Sequence, residues 1–252
     1  MKNEQTSSAP CSHRFNDVYY SVGGGLEESR HVFLNGSRLL SRLESSENQH
    51  TLVELGFGTG LNALVTAIEA EAVLKKSQSL NARLHYHAIE GFPLTPEALL
   101  EGLEVWRPSL GGCLDELSEA YESVLYPSLN NTGDECRQNT RVVCNTVQLT
   151  LAPRVMLSLW IGDVNDCLIS MKLNELRADT WYLDGFSPAK NPEMWSNQVF
   201  QGVRDLSAPE ARLATYTAAG FVRRGLMEVG FNMSKVPGFG RKREMLIGQY
   251  VD

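Results

Sequence analysis

Residues 51–62 read Thr-Leu-Val-Glu-Leu-Gly-Phe-Gly-Thr-Gly-Leu-Asn. Thr51 to Leu55 is a short apolar run that predicts a buried strand, and it stops at a glycine cluster. From Leu61 to Lys75 the chain is rich in Ala, Leu and Glu and lacks Pro and Gly, which predicts a helix. Glycines between a strand and a helix let the backbone turn tightly and approach a ligand. Their spacing narrows the ligand. Gly56, Gly58 and Gly60 give G-x-G-x-G with Glu54 two residues ahead, whereas the dinucleotide fingerprint places its third glycine one residue later. The spacing therefore disfavours a dehydrogenase. A tight turn with no ligand is the structural alternative.

Outward from this bend, strand and helix signals alternate. Leu84 to Glu90 predicts the next strand, and Thr95-Pro96-Glu97 opens a helix. The segment 107–150 is the least regular, with a helix expected around Leu114–Leu125 and a loop over 127–140. Two alternating runs within 141–160, divided by Pro153, predict a hairpin or neighbouring strands. A short helix follows over Val164–Met171, then a strand at Thr180–Leu183, a helix over Pro192–Leu206, a strand at Leu213–Tyr216 and a helix over Ala219–Val229. The last residues alternate around a glycine turn and predict a terminal hairpin. This order predicts an α/β fold with a doubly wound, Rossmann-like sheet over 49–252, carrying an irregular insertion at about 107–150. Val18-Tyr19-Tyr20 and Val32-Phe33-Leu34 are β-prone, so residues 1–48 are expected to form a small β-rich appendage.

The 252 residues are 42% hydrophobic and 21% charged, which suits one α/β domain with a small addition and excludes wholesale disorder or a fibre. No apolar run approaches the ~20 residues of a membrane-spanning helix, and the polar first ten residues lack a signal peptide's apolar stretch, so a cytoplasmic protein is expected. The five cysteines are odd in number and none form C-x-x-C, which argues against a disulfide framework and a zinc site. His85 and His87 share one face of a strand, but no third ligand at useful spacing accompanies them, so no metal is expected. The net charge is −7, yet Arg212 to Arg243 holds seven basic residues and one acidic residue. A local basic patch can hold a phosphate backbone on an otherwise acidic protein; a solvated face is the alternative.

Three carboxylates stand where predicted strands end. Glu90 suits hydrogen bonds from ribose hydroxyls, or is an ordinary acidic loop residue. Asp163 suits an adenine amino group, or caps the helix over Val164–Met171, and the two roles are compatible. Asp184 begins Asp-Gly-Phe-Ser-Pro-Ala-Lys-Asn-Pro-Glu-Met-Trp (184–195), a Pro-framed loop at the sheet edge where open α/β folds bind ligands. A carboxylate there can orient an amine and take its proton, and Phe186 can stack on a base. A rigid structural turn is the alternative.

Glu54 to Asn62 resembles motif I of the class I S-adenosylmethionine-dependent methyltransferases. Longer stretches, among them FNDVYYSVGGGLEESRHVFLNG (15–36), LDGFSPAKNPEMW (183–195) and GFGRKREML (238–246), resemble the methyltransferase domains of the bifunctional tRNA 5-methylaminomethyl-2-thiouridine biosynthesis family. That resemblance spans about residues 15–250. It implies methyl transfer from S-adenosyl-L-methionine to the aminomethyl group of a wobble uridine in the tRNA anticodon loop. Glu54, Gly56, Gly58, Gly60, Asn62, Glu90 and Asp163 would hold the cofactor, and Asp184 would face the methyl group and the amine. Phe186 would contact the base; Arg223, Arg224, Arg241, Lys242 and Arg243 would contact tRNA phosphates. The family continues into an FAD-dependent oxidase domain that this chain does not include. A stand-alone relative and a piece of a bifunctional protein both suit the pattern, and the oxidase step is not assigned here. Segment 107–150 departs from the family pattern. Methyl transfer to another substrate, or a non-catalytic RNA-binding module that senses the cofactor, are the alternatives.

Overall fold

The structure, a computed structural model, describes residues 11–12, 17–19, 24–125 and 145–251. A two-stranded antiparallel pair, β1 (Cys11–Ser12) and β2 (Asp17–Val18), precedes the main sheet. The main sheet contains β3 (Gln49–Leu55), β4 (Arg83–Glu90), β5 (Asn145–Ala152), β6 (Val155–Ile161), β7 (Ala178–Leu183), β8 (Ser207–Thr215), β9 (Phe231–Pro237) and β10 (Glu244–Tyr250), in the spatial order β5-β6-β4-β3-β7-β8-β10-β9. The five central strands are parallel, while β5 at one edge and the β9–β10 hairpin at the other run antiparallel. The chain steps outward from β3 to β4 and β6, then returns to the other side of β3 with β7 and β8. The carboxyl ends of β3, β4 and β7 thus meet at the switch point, where such sheets leave a crevice.

Both faces of the sheet are covered, so central strands are apolar at nearly every position. Leu52, Tyr86, Leu157 and Tyr182 point into one layer; their neighbours Val53, Ile89, Trp181 and Leu213 point into the other. The helix Leu61–Leu74 and the helices of 96–121 cover the first layer; Val164–Leu173, Asn197–Leu206 and Gly220–Glu228 cover the second. Local capping sets several boundaries. The Thr95 hydroxyl accepts from the Ala98 N–H at 3.3 Å, and the Ser196 hydroxyl from the Val199 N–H at 3.4 Å. The second cap divides the helix expected over Pro192–Leu206 into a 3-10 turn, Pro192–Trp195, and an α-helix from Asn197. The strand expected at Leu213–Tyr216 starts earlier, at Ser207. The two runs around Pro153 form the β5–β6 hairpin, and the terminal hairpin is β9–β10.

The N-terminal expectation needs correcting. Among the described residues, β structure before Gln49 is confined to β1 and β2. Val32-Phe33-Leu34 is helical, within a π-type turn over Arg30–Asn35 that continues the helix Gly25–Ser29; Leu39–Glu44 forms another helix. These helices bury Leu26, Phe33, Leu39 and Leu43 in the first layer of the main core. Packing overrides the local β preference of Val and Phe, whose strand propensity is itself largely a measure of burial. Tyr20 and the loop expected over 127–140 lie outside the described residues. In the segment 107–150, Arg107–Leu110 and Gly112–Ala120 are α-helical, and Asn145–Ala152 is β5. His85 and His87 stack with ring centroids 3.9 Å apart; His85 bonds the Ser158 hydroxyl at 2.7 Å, and His87 accepts from the Trp160 indole at 3.1 Å.

The helices 197–206 and 220–228 meet through Gly225, where an added Cβ would lie 2.5 Å from the Phe200 ring. Phe200 is buried and has no room to retreat. Gly225→Ala is expected to lower the unfolding free energy by about 1–2 kcal/mol, since overpacking outweighs the helix propensity that alanine adds. An unchanged denaturant midpoint would refute this account of the contact.

Candidate active site

The glycine bend after β3 is fixed by its neighbours. Gly56 N–H and Phe57 N–H both donate to the Ile89 carbonyl, at 3.0 and 3.1 Å, which ties the bend to the end of β4. Gly56 has φ +90°, and a Cβ there would meet the Asp184 carbonyl oxygen at 2.9 Å. Only glycine lets the loops after β3 and β7 come this close. Gly60 has φ +80° and packs beneath Phe57, whose ring would lie 2.6 Å from an added Cβ.

A cavity of about 750 Å³ opens over this bend. Gly56, Gly58, Asn62, Glu90, Asp163, Asp184, Phe186 and Lys242 are in its wall. Glu90 takes hydrogen bonds from Gly58 N–H at 2.9 Å and Phe92 N–H at 2.8 Å, one on each carboxylate oxygen. The carboxylate keeps lone-pair capacity for a hydroxyl donor. Burial raises the Glu90 carboxyl, and the backbone donors at Phe92, Gly58 and Gly91 oppose that shift. Asp163 caps the helix Val164–Leu173 by accepting from Asn165 N–H at 2.9 Å, and it is exposed on the cavity wall, so the cap leaves it available to a ligand.

Behind the wall lies a pair of carboxyls joined by one amide. Asn62 Nδ2 donates to Glu54 Oε1 and to Asp184 Oδ2, each at 2.8 Å. Glu54 is fully buried and reaches the cavity only through Asn62. The buried Tyr86 hydroxyl neighbours this carboxyl and, with the Asn62 amide, partly offsets the effect of burial on it. Burial, then the nearby Asp184, raises the Glu54 carboxyl well above its ordinary range. Burial pushes Asp184 up to about 7, restrained by Gly185 N–H and the Asn62 amide. Asp184 Oδ1 accepts from Gly185 N–H at 2.8 Å. Asp184 is thus poised to exchange a proton near neutrality, as a general base must.

Several wall residues come from the segment that the sequence suggested was an appendage. Asp17 accepts from Ser187 N–H and from Lys190 Nζ, both at 3.1 Å, which pins β2 to the loop after β7. Tyr19 packs edge-on against Phe186 with centroids 5.3 Å apart. Glu28 and Ser29 line the cavity from the helix Gly25–Ser29, and Ser29 Oγ is buried without a hydrogen-bond partner. Tyr216, past the end of β8, donates to the Gly185 carbonyl at 2.8 Å. Except for the stretch 15–36, no quoted motif contains these positions; chain topology collects them. Of the five basic residues expected to contact phosphates, Lys242 alone is in the cavity wall. Arg241 and Arg243 flank it on the exposed β9–β10 turn, and Arg224 is exposed on the helix Gly220–Glu228. Arg223 is half-buried, with Nε lacking a hydrogen-bond partner. Gly60 also lies outside the wall. Among the described residues no His, Cys, Asp and Glu cluster is able to hold a metal ion, and no helix is long and apolar enough to cross a membrane.

A large cavity over a glycine bend, with carboxylates at the ends of β4 and β6, accommodates a nucleoside. The unpartnered Ser29 Oγ and the free lone pairs of Glu90 offer polar contacts that the chain itself does not satisfy. Comparisons with known proteins give the chain's relatives. Residues 133–251 match a family model described as S-adenosyl-L-methionine-dependent methyltransferase. The chain is 42% identical over 243 residues to the tRNA 5-methylaminomethyl-2-thiouridine biosynthesis bifunctional protein MnmC of Ectopseudomonas mendocina, covering 96% of this chain and 33% of that protein. It is 43% identical over 242 residues to the protein of the same name in Stutzerimonas stutzeri, covering 95% of this chain and 33% of the relative. It therefore spans about a third of the length of these curated relatives. A crystal structure of MNMC2 from Aquifex aeolicus shares the fold, with TM-score 0.66 at 20% identity over 94% of this chain and 65% of the other. In sequence, the chain is similar over residues 133–251 to the S-adenosyl-L-methionine-dependent methyltransferases and over nearly its whole length to about one third of the bifunctional MnmC proteins, and it shares the fold of MNMC2.

Proposed function

We propose that this chain is a tRNA-modifying N-methyltransferase. It would move the methyl group of S-adenosyl-L-methionine onto the aminomethyl nitrogen of a wobble uridine, converting 5-aminomethyl-2-thiouridine to 5-methylaminomethyl-2-thiouridine. The observation that carries this reading is the Asp184 carboxyl, held by Asn62 at the carboxyl end of β7 between the glycine bend and Phe186. The names of the relatives supply the substrate class.

The cofactor, when bound, supplies an electrophilic methyl carbon on a sulfonium. Glu90, Asp163, Ser29 and the glycine bend would hold it, with Glu54 acting from behind through Asn62. A primary alkylamine arrives as an ammonium ion and cannot attack until it loses a proton. Asp184 takes that proton, and a value near 7 suits both capture and release. The nitrogen lone pair would then form the N–C bond as the methyl carbon–sulfur bond breaks, its electron pair staying on sulfur, and the product leaves as a secondary ammonium ion. Tyr19 and Phe186 form an aromatic corner against which a flipped uracil would stack. Lys242, with Arg241 and Arg243 beside it, and Arg223 and Arg224 on the preceding helix would meet the phosphates of the anticodon loop. Relatives named as bifunctional, most of whose length lies beyond the match, support a companion activity. An FAD-dependent oxidase, fused or separate, would supply the amine, and both steps belong in the cytoplasm with tRNA.

The test is mass spectrometry of nucleosides after incubating the chain with labelled cofactor and tRNA carrying the aminomethyl uridine. Label on the wobble nucleoside is expected, and an unlabelled wobble position removes the tRNA reading. Turnover should rise with pH through about 7, because the base acts deprotonated. Asn62→Leu removes a donor to the carboxylate and should move that midpoint upward; a midpoint that stays or falls contradicts the role given to the amide.

Asp184→Asn should lower turnover at least ~100-fold while cofactor binding persists. A cofactor sensor would be indifferent to this change. The same variant should be more stable than the parent at pH 8. The folded carboxyl titrates near 7, above its unfolded value of 3.8, so Asp184 favours folding at low pH and loses that contribution as pH rises through about 7. An asparagine has no such dependence. Equal parent and variant stability profiles between pH 5 and pH 8 would contradict the buried-carboxyl account.

A further inference from the structure

Lys242 has an unusual partner set for a residue at a hairpin tip. It lies in the turn between β9 and β10, with its N–H bonded to the Phe239 carbonyl at 3.0 Å. Its Nζ reaches back over the cavity mouth, 4.0 Å above the centroid of the Tyr216 ring and 3.4 Å from Glu28 Oε1. A carboxylate and an aromatic face around one ammonium make a compact cation site. The surroundings hold that site in place. Tyr216 is anchored by its hydroxyl to the Gly185 carbonyl at 2.8 Å, next to Asp184. Glu28 sits on the helix Gly25–Ser29, with its side chain only 13% exposed. His31, on the continuation of that helix, bonds the Pro237 carbonyl at 3.0 Å, and its ring lies 5.9 Å from Phe239. The lysine is the more accessible member, with its side chain 45% exposed on a long, rotatable stem.

The site suits the substrate proposed above. A 5-aminomethyl group is a primary ammonium on a short stem, the same terminal group that Lys242 presents. The cation site borders the carboxyl that must deprotonate that amine: Lys242 and Glu28 are both within electrostatic reach of Asp184, and Tyr216 is fixed to the residue after it. Arg241 and Arg243 flank the lysine on the same exposed turn, so a lysine displaced from the mouth would join a basic edge suited to phosphate. The lysine end of this ion pair is accessible to solvent, and its flexible stem lets it exchange for another partner.

We propose that Glu28 and the face of Tyr216 form the subsite for the substrate's ammonium group, and that Lys242 fills it as a placeholder until RNA draws the lysine out to a phosphate. The site would thereby select an aminomethyl uridine over an unmodified one. It would also keep an acidic, cofactor-sized cavity from accepting small cations in the absence of RNA. This rests on the amine-methylation reading and names the specificity residues within it.

The test is calorimetric titration of free 5-aminomethyluridine into the full chain saturated with S-adenosylhomocysteine, with uridine as the uncharged control. Lys242→Met vacates the subsite, so it should bind the aminomethyl nucleoside roughly fivefold more tightly than the parent and uridine no better. Adding Glu28→Gln should bring the aminomethyl nucleoside down to the level of uridine. Lys242 is at an exposed turn, so its variant folds independently of the fate of Glu28 variants. No gain in Lys242→Met, or an equal gain for uridine, overturns the proposal, as does tight amine binding that survives Glu28→Gln. These outcomes are separable from the tRNA assay. A parent chain that leaves tRNA unlabelled while Lys242→Met gains amine affinity refutes the tRNA reading and upholds the subsite for a different amine.

Discussion

Everything at this site depends on one side-chain amide that serves two buried carboxyls. Asn62 spends both N–H donors on Glu54, from the strand before the glycine bend, and Asp184, from the strand beside it. Two carboxylates in a water-poor site repel each other, and only one can ionise readily near neutrality. Full burial raises the Glu54 carboxyl well above its ordinary range, while Asp184, at the cavity, is pushed up to about 7. The amide also fixes the relative position of the loops after β3 and β7. Gly56 makes that proximity sterically possible, and Asn62 makes it directional.

The sheet explains why these groups converge. Parallel order brings the carboxyl ends of β3, β4, β6 and β7 to one edge, and the change in winding direction about β3 opens the crevice there. Glu90, Asp163 and Asp184 are far apart in sequence, but each is the first polar opportunity after an apolar strand. Such positions can carry chemistry because the strand is rigid and the following loop is free to vary.

The central architecture was legible because its signals are local. TLVEL followed by spaced glycines, LHYHAIE, and WYLDG each join an apolar run to a breaker, and the structure places a strand end at each. The terminal hairpin and the Thr95 cap were readable for the same reason. The role of residues 24–44 was not. Val32, Phe33 and Leu34 favour strands locally, but burial against the sheet holds them in helical turns, and no short-range pattern reports the presence of that sheet. Glu28 and Ser29 lie in the stretch 15–36 that carries the resemblance, but neither they nor Tyr216 stand at a predicted strand end, so nothing local points to a place in the site. Glu54 was recognisable by position, but not its retreat behind Asn62, which only packing shows.

The ion pair between Glu28 and Lys242 joins residues 214 positions apart. The mouth of the cavity is thus closed by the beginning and the end of the described chain together. During synthesis, the glycine bend and the Asp184 strand leave the ribosome well before the hairpin that completes the mouth. A nascent chain has the floor of its binding site before it has the rim, and selective capture of a substrate must wait for β9 and β10.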